Sequence, residues 1–473
     1  MEIKSMHFQS RALEKLADVA LQKTLRKVKG KFVDKRRDAI DEFEAQGGDF
    51  EALRAAASRV RGRTLADLDL WLEKFEANAT ARGATVLWAS DDAEASRLVV
   101  DIARRHGVKK ATKSKSMVSE EVGLNRALEA AGVRPVETDL GEYILQINDN
   151  EPPSHIIAPV VHKSKEEISD LFARVHGKPR LTDIGEMTRE AREVLRSHFL
   201  SADMGISGGN FIIAETGSAA IVTNEGNGRM VTTVPKVHVV LTGIEKVVPT
   251  LEDLSLLLRL LPRSATGQSI SNYVSVLTGV KGADDLDGPE HMYYVLVDNG
   301  RSALLGTEFK EMLHCIRCGA CMNHCPVYQT IGGHAYGWVY PGPMGSVLTP
   351  LYVGMENALE LPHASTLCNQ CGVACPVKIP LPELLRTLRE KQTEQGMRPL
   401  MERLALKAWA WVATRPALYH LGTRFAVRYL HWLAGGKAGI HVLGAAPEWT
   451  EGRDFPAPEG RTFHELHAAR KQS

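Results

Sequence analysis

The stretch CIRCGACMNHCPVY sets Cys315, Cys318, Cys321 and Cys325 at short, regular intervals with Pro326 directly behind. Further on, LCNQCGVACPVK repeats the spacing as Cys368, Cys371 and Cys375 before Pro376, but Ser365 stands where a first cysteine would fall. Thiolates at these intervals can be turned inward by a tight loop, and the C-x2-C-x2-C-x3-C-P run is that of two-cluster ferredoxins. In that pattern the fourth cysteine of each run crosses to the other cluster. The expected ligand sets are therefore Cys315, Cys318, Cys321 and Cys375 for one [4Fe-4S] cluster, and Cys325, Cys368 and Cys371 for a second. The chain has seven cysteines, all in these runs. The open corner of the second cluster could take Ser365 oxygen, solvent or a partner's group, or hold no iron and give a [3Fe-4S] cluster in the isolated protein.

Two other uses of cysteine fit less well. Disulfides need an oxidising compartment, and MEIKSMHFQSRALEKL has no apolar signal core. Zinc sites usually space two C-x2-C pairs further apart.

Such loops need a frame. With 473 residues the chain has room for several domains. Residues 1–70 read as an N-terminal helical region, and residues 50–83 as two amphipathic helices ending near Gly83. Over 71–305, apolar runs such as GATVLWASD, VRPVETD, EYILQI and HIIAPVV alternate with helical patterns, which predicts an α/β domain with a largely parallel sheet. Thr250 is the expected N-cap of a helix over TLEDLSLLLRLLPRSATG. Residues 306–395 form the expected cluster module. Its linking segment TIGGHAYGWVYPGPMGSVLTPLYVG fits neither helix nor strand and carries four aromatics, which suits it to wrapping the clusters. In the C-terminal region, 396–473, two helices broken near Pro416 carry Trp409, Trp411, Tyr419, Tyr429 and Trp432, and an extended strap with a short helix follows. Core packing is the default use of those aromatics, and a surface for a partner or the membrane interface is the sharper one.

Charge excludes some functions. Lys plus Arg number 58 against 57 Asp plus Glu, which gives no case for nucleic acid binding. Residues 23–37 are a local exception, with eight bases and one acid. Most such runs are solvated helix faces, and docking of a partner or an anionic surface is the alternative. No apolar stretch reaches transmembrane length, so a soluble or at most peripheral protein is expected. In the α/β domain, Lys113 and Lys115 could receive an anion and Glu215 could sit at a crevice mouth, but no triad, phosphate loop or dinucleotide fingerprint accompanies them. No catalytic residue is assigned.

Beyond spacing, KSKSMVSEEVGLN, ETDLGEYILQ, PSHIIAPVVHK and AETGSAAIV resemble the LUD domain of lactate-utilization proteins. With CIRCGACMNHCPVY, GGHAYGWVYPGPMGSVLTPL and LCNQCGVACPVKIPLPELL following in order, the whole chain resembles the LutB family. The resemblance implies a NagB/RpiA/CoA-transferase-like α/β fold, a ferredoxin-type double-cluster module and a LutB-type C-terminal region. It implies a cytoplasmic iron–sulfur electron carrier in oxidation of L-lactate to pyruvate, working with a cysteine-rich LutA-type subunit and a LutC-type LUD protein. It also implies a second motif with three cysteines. Where relatives have a small CGAC loop, Asn369 and Gln370 stand here, which bears on hydrogen bonding to the sulfurs. The rival reading makes the α/β domain itself catalytic on a hydroxy acid or thioester, with the clusters as its electron outlet. A third makes the clusters structural and the chain a scaffold.

Overall fold

In a computed structural model of the chain, residues 3–28, 30–444, 446–450 and 452–472 are described. Met1, Glu2, Lys29 of the basic run, Ala445, Glu451 and Ser473 lie outside them. The chain forms two compact units, Met1–Lys391 and Gln392–Ser473.

The first unit is built on ten strands: β1 (Thr85–Ala89), β2 (Lys110–Lys113), β3 (Arg134–Glu137), β4 (Met204–Ser207), β5 (Phe211–Ile213), β6 (Ser218–Thr223), β7 (Val237–Gly243), β8 (Val247–Val248), β9 (Tyr273–Leu277) and β10 (His291–Val297). Six form a sheet in the order β1-β10-β7-β4-β2-β3, every neighbouring pair parallel. A parallel sheet is covered on both faces, so its central strands read as unbroken apolar runs. Every residue of β7 is buried, as are Met292 to Val297 of β10. The other four make a second sheet, β8-β5-β6-β9, antiparallel except for β5 with β8.

The N-terminal helices form as expected. Phe50–Ala66 is capped by Asp49, which accepts from the Ala52 amide, and Leu68–Ala81 ends two residues before Gly83. Thr250 caps Leu251–Ala265 by accepting from the Asp253 amide at 3.1 Å. Gly217, at φ +67°, sits so close to the helix Leu68–Ala81 that a Cβ would lie 2.2 Å from the Ala79 nitrogen. The glycine of the AETGSAAIV motif is therefore a packing requirement.

Three segments depart from expectation. EYILQI is helical, within Leu140–Ile147, because Asp139 caps the amides of Gly141 and Glu142. HIIAPVV is no strand: His155 Nδ1 accepts from the Ile157 and Ala158 amides at 3.0 and 3.2 Å, taking donors a sheet would use. The cluster-linking segment holds a twelve-residue helix, Gly342–Val353, buried from Gly342 to Pro350. Being apolar all round it shows no amphipathic period, yet Pro343 sits in its first turn, where proline is tolerated.

In the second unit, Leu400–Ala413 and Pro416–Ala434 pair as two helices, the break falling at Pro416. Core packing does not account for their aromatics. Trp409, Trp411 and Trp432 are 66%, 55% and 73% exposed, and no residue of the first helix is buried. A two-residue strand pair, Gly439–Ile440 with Phe455–Pro456, and the helix Phe463–Gln472 complete the unit.

Candidate metal centre

The two cysteine runs share one backbone path. Arg317 and Gly319 take φ of +57° and +76° on either side of Cys318, and Leu367 and Asn369 take +56° and +65° on either side of Cys368. Short helices, Ala320–Asn323 and Gln370–Ala374, follow in each run. Asparagine tolerates the left-handed region better than most residues, which is why Asn369 can replace a glycine there. The match puts Ser365 in the place Cys315 holds in the first run. Cys325 and Cys375 are both extended, as residues before proline prefer.

The sulfurs fall into two electrostatic groups. Burial pushes the Cys318 thiol up to about 12, and Cys375 and Cys315 add to that rise. Cys321 is raised by burial and then by Cys315, Cys318, Cys371 and Cys375. Cys371 is pushed up to about 12 by burial, with Cys325 and Cys368 adding. Cys315, Cys318, Cys321 and Cys375 are thus mutual neighbours, as are Cys325, Cys368 and Cys371, with Cys321 and Cys371 adjoining between the groups.

Amides converge on the sulfurs. The Ile379 N–H donates to Cys375 Sγ at 3.4 Å. Backbone donors from Ala320 reach Cys318, from Tyr328 and Val327 reach Cys325, and from Gln370 reach Cys368. Thiolate ligands of an iron–sulfur cluster need such donors, so the residues present fit the group. Cys368 alone is exposed. Ser365 Oγ is occupied locally, accepting from the Leu367 amide at 3.1 Å.

Cations surround the runs, drawn from segments far from them in sequence. Arg54 donates to the Cys375 and Gly372 carbonyls, and Arg36 to the Ala374 carbonyl at 3.2 Å. Arg36 belongs to the basic run, so part of that run serves the interior. Arg61, 1% exposed, donates to the carbonyls of Glu245, Val247 and Leu313. Lys246 Nζ donates to the Cys315 carbonyl at 3.1 Å, and burial lowers its pKa to about 7. Behind them lies a buried ion network. Arg301 makes two 2.9 Å bonds to the Glu121 carboxylate and one of 2.7 Å to Glu245, while Tyr340 donates to Glu121 at 2.5 Å. Burial opposes the charge on Glu245, but Arg301, Lys246 and Arg317 outweigh it and hold its carboxyl at about 2. These partners lie far apart in sequence, where periodicity and spacing carry no signal.

The other singled-out residues separate. Lys113 is buried and taken by Glu137 and Asn125, each at 2.6 Å. Lys115 lies 3.5 Å from Glu142. Glu215 is exposed and accepts from the Leu251 amide at 2.9 Å, at the start of the helix Leu251–Ala265. Among the described residues no helix is long and apolar enough to cross a membrane.

Comparison with known proteins adds three family matches: the LUD domain over residues 72–297, a 4Fe-4S dicluster domain over 311–379, and Lactate utilisation protein B, C-terminal, over 386–472. Lactate utilization protein B of Geobacillus kaustophilus (strain HTA426) is 44% identical over 473 residues, covering 100% of this chain and 98% of that protein. Its namesake from Lysinibacillus sphaericus (strain C3-41) is 44% identical over 464 residues, covering 98% and 97%. A solved structure of a DUF162 family protein from Deinococcus radiodurans matches 49% of this chain and 98% of its own at 15% identity, with a TM-score of 0.26, too slight a likeness to bear on the fold.

Proposed function

The chain belongs to the lactate utilization protein B family, and from that premise we propose that it is an iron–sulfur electron-transfer protein acting in oxidation of L-lactate to pyruvate. Cys315, Cys318, Cys321 and Cys375 hold one [4Fe-4S] cluster, and Cys325, Cys368 and Cys371 hold the second, whose fourth corner is not a cysteine. When bound, such clusters supply reversible one-electron storage. The division of the seven sulfurs into two sets of electrostatic neighbours carries this reading.

The chain's own residues set the conditions. Backbone amides and the cations Arg36, Arg54 and Arg317 offset negative charge at the sulfurs, favouring the reduced state. The buried Tyr336, Trp338 and Tyr340 exclude water around them. A LutA-type cysteine-rich subunit and a LutC-type LUD protein are the partners, in the cytoplasm, and the exposed aromatic helices at 400–434 offer surface to such a partner. The working division is 1–70, 71–305, 306–395 and 396–473; the LUD match over 72–297 and the dicluster match over 311–379 fall within the second and third parts, and the C-terminal match begins at 386.

Iron and sulfide analysis with EPR on anaerobically purified protein, through graded reduction, tests the reading. About eight irons per chain and two reducible signals support two [4Fe-4S] clusters, and about seven irons with an oxidised three-iron signal support an open corner in the isolated protein. Clusters that cannot be reduced reversibly would defeat the relay.

A further inference from the structure

Glu151, His162 and His334 come from separate turns that folding brings together. Each offers a ligand atom, and the three atoms lie within 4.8 Å of one another. Glu151 follows the helix Leu140–Ile147, His162 precedes the helix Lys165–His176, and His334 opens a single helical turn, His334–Tyr336, between the two cysteine runs. Contacts outside these side chains hold the segments together: Tyr328 Oη donates to the Ser154 carbonyl at 2.7 Å, and the Gly333 amide donates to Ser154 Oγ at 3.1 Å. A Cβ on Gly333 would stand 1.8 Å from that same carbonyl oxygen. Backbone packing therefore presents the three side chains, and a bound group need not assemble them.

The hydrogen bonds leave donor atoms in hand. His334 Nε2 lies 2.7 Å from the Pro152 carbonyl, and a carbonyl only accepts, so in the neutral ring Nε2 carries the proton and Nδ1 the lone pair. A backbone carbonyl on the far nitrogen is the usual support of a metal-bound imidazole. Glu151 divides its oxygens. Oε2 accepts from Lys163 Nζ at 2.6 Å and from Asn148 Nδ2 at 2.7 Å, while Oε1 faces His162 Nε2 at 2.9 Å. Ligands about 2.0–2.2 Å from one ion stand roughly 3 Å apart, so that spacing suits an adjacent ligand pair as well as a hydrogen bond. The His162 side chain is 8% exposed, and its Nδ1 is buried with no hydrogen-bond partner among the described residues. Buried polar atoms are normally paired, so His162 has binding capacity that the protein does not itself use.

Charge selects the ion. Lys163 beside Glu151 and Lys15 near His334 oppose a cation, and Glu151 itself, with Glu167 near Lys163 and His162, offsets them. In a local field so balanced nothing draws magnesium or calcium, which need several oxygen ligands. Two imidazoles and one carboxylate oxygen suit a borderline transition metal, which binds neutral nitrogen well, as three-histidine zinc sites do. We propose that Glu151 Oε1, His162 and His334 bind a divalent transition-metal ion of the zinc type, tying the α/β domain to the segment between the cysteine runs. Three protein ligands leave a coordination position for water or a ligand group. This ion is separate from the clusters, since its ligands are nitrogen and oxygen alone, and the site goes beyond the relay.

Zinc titration of the anaerobically purified, cluster-loaded full-length protein tests it, with bound zinc and iron counted after gel filtration and the zinc-edge X-ray absorption spectrum recorded. About one zinc per chain is expected beyond the cluster metal, with iron content unchanged and only nitrogen and oxygen in the zinc shell. His162→Gln and His334→Gln should each weaken zinc binding at least about tenfold at normal iron content, and equimolar magnesium should not compete. No stoichiometric zinc, sulfur in the zinc shell, unchanged affinity in both histidine variants, or competition by magnesium would each overturn the proposal. Should the variants fail to load iron, the wild-type spectrum decides: imidazole rings give outer-shell scattering that carboxylate and water ligands lack, and its absence would overturn the proposal. The titration needs no electron flow, so its failure leaves the relay standing, and irreducible clusters leave this site standing.

Discussion

Arg54 grips the carbonyl of Cys375, from Nη2 at 2.7 Å and from Nε at 3.0 Å, so a helix near the start of the chain holds the last cysteine of the second run. Arg54→Met removes those bonds and a positive charge beside the proposed first cluster. A fall in its reduction potential on the order of 50 mV is expected from the lost charge, together with faster iron loss in air. Redox titration followed by EPR reads the first, and an unchanged potential would assign Arg54 to packing alone.

Ser365 sits in the position of Cys315, yet its hydroxyl already serves the Leu367 amide. Ser365→Cys is therefore expected to bring the iron content to about eight per chain with no three-iron signal, whereas Ser365→Ala leaves the iron content of the wild type unchanged. Iron loss in the alanine variant would identify the serine oxygen as a ligand.

Arg301 is fully buried between Glu121 and Glu245. Arg301→Met strands two carboxylates in the interior and should cost about 3–5 kcal/mol, measured as a lower denaturation midpoint of the loaded protein. Glu121→Gln keeps the shape and a hydrogen-bonding group, and its smaller cost separates charge from packing.

His238 on β7 meets Ser207 Oγ at 2.8 Å, and burial lowers its pKa to about 3. An unfolded histidine titrates near 6.5, so between about 6.5 and 3 the unfolded chain binds the extra proton. Stability should fall as pH drops through that window, and His238→Gln should flatten the slope by up to about 1.4 kcal/mol per pH unit. Melting series at pH 7, 6 and 5 test the sign, and a slope that survives the substitution would place the titration elsewhere.

Gly217→Ala should destabilise by about 3 kcal/mol or more, because the added Cβ meets helix backbone and the residue must also hold a positive φ. A melting temperature within a degree or two of wild type would mean that the helix Leu68–Ala81 yields there.

Much of this architecture could be read from the chain. Cysteine spacing, the Thr250 cap and the break at Pro416 are local signals, and local signals survive folding. EYILQI failed because six apolar-rich residues suit either structure until Asp139 caps them, and Gly342–Val353 failed because a helix buried on all sides has no period to detect. The arginines around the sulfurs were invisible for a different reason. Arg36, Arg54 and Arg61 look like the polar faces of amphipathic helices, and only tertiary folding brings them to carbonyls hundreds of residues away. Of the two lysines singled out as anion receivers, Lys113 is bound by Glu137 and Asn125 and Lys115 lies 3.5 Å from Glu142, partners that spacing does not reveal.

The reach of those arginines bears on portability. A segment excised at the cysteine module's own ends, as one might transplant a small ferredoxin, would leave behind Arg36, Arg54, Arg61 and Lys246, and with them the donors that pin the carbonyls of Leu313, Cys315, Ala374 and Cys375. Evolution could lengthen or trim the outer helices of this chain more freely than it could shuffle its cysteine segment into another protein.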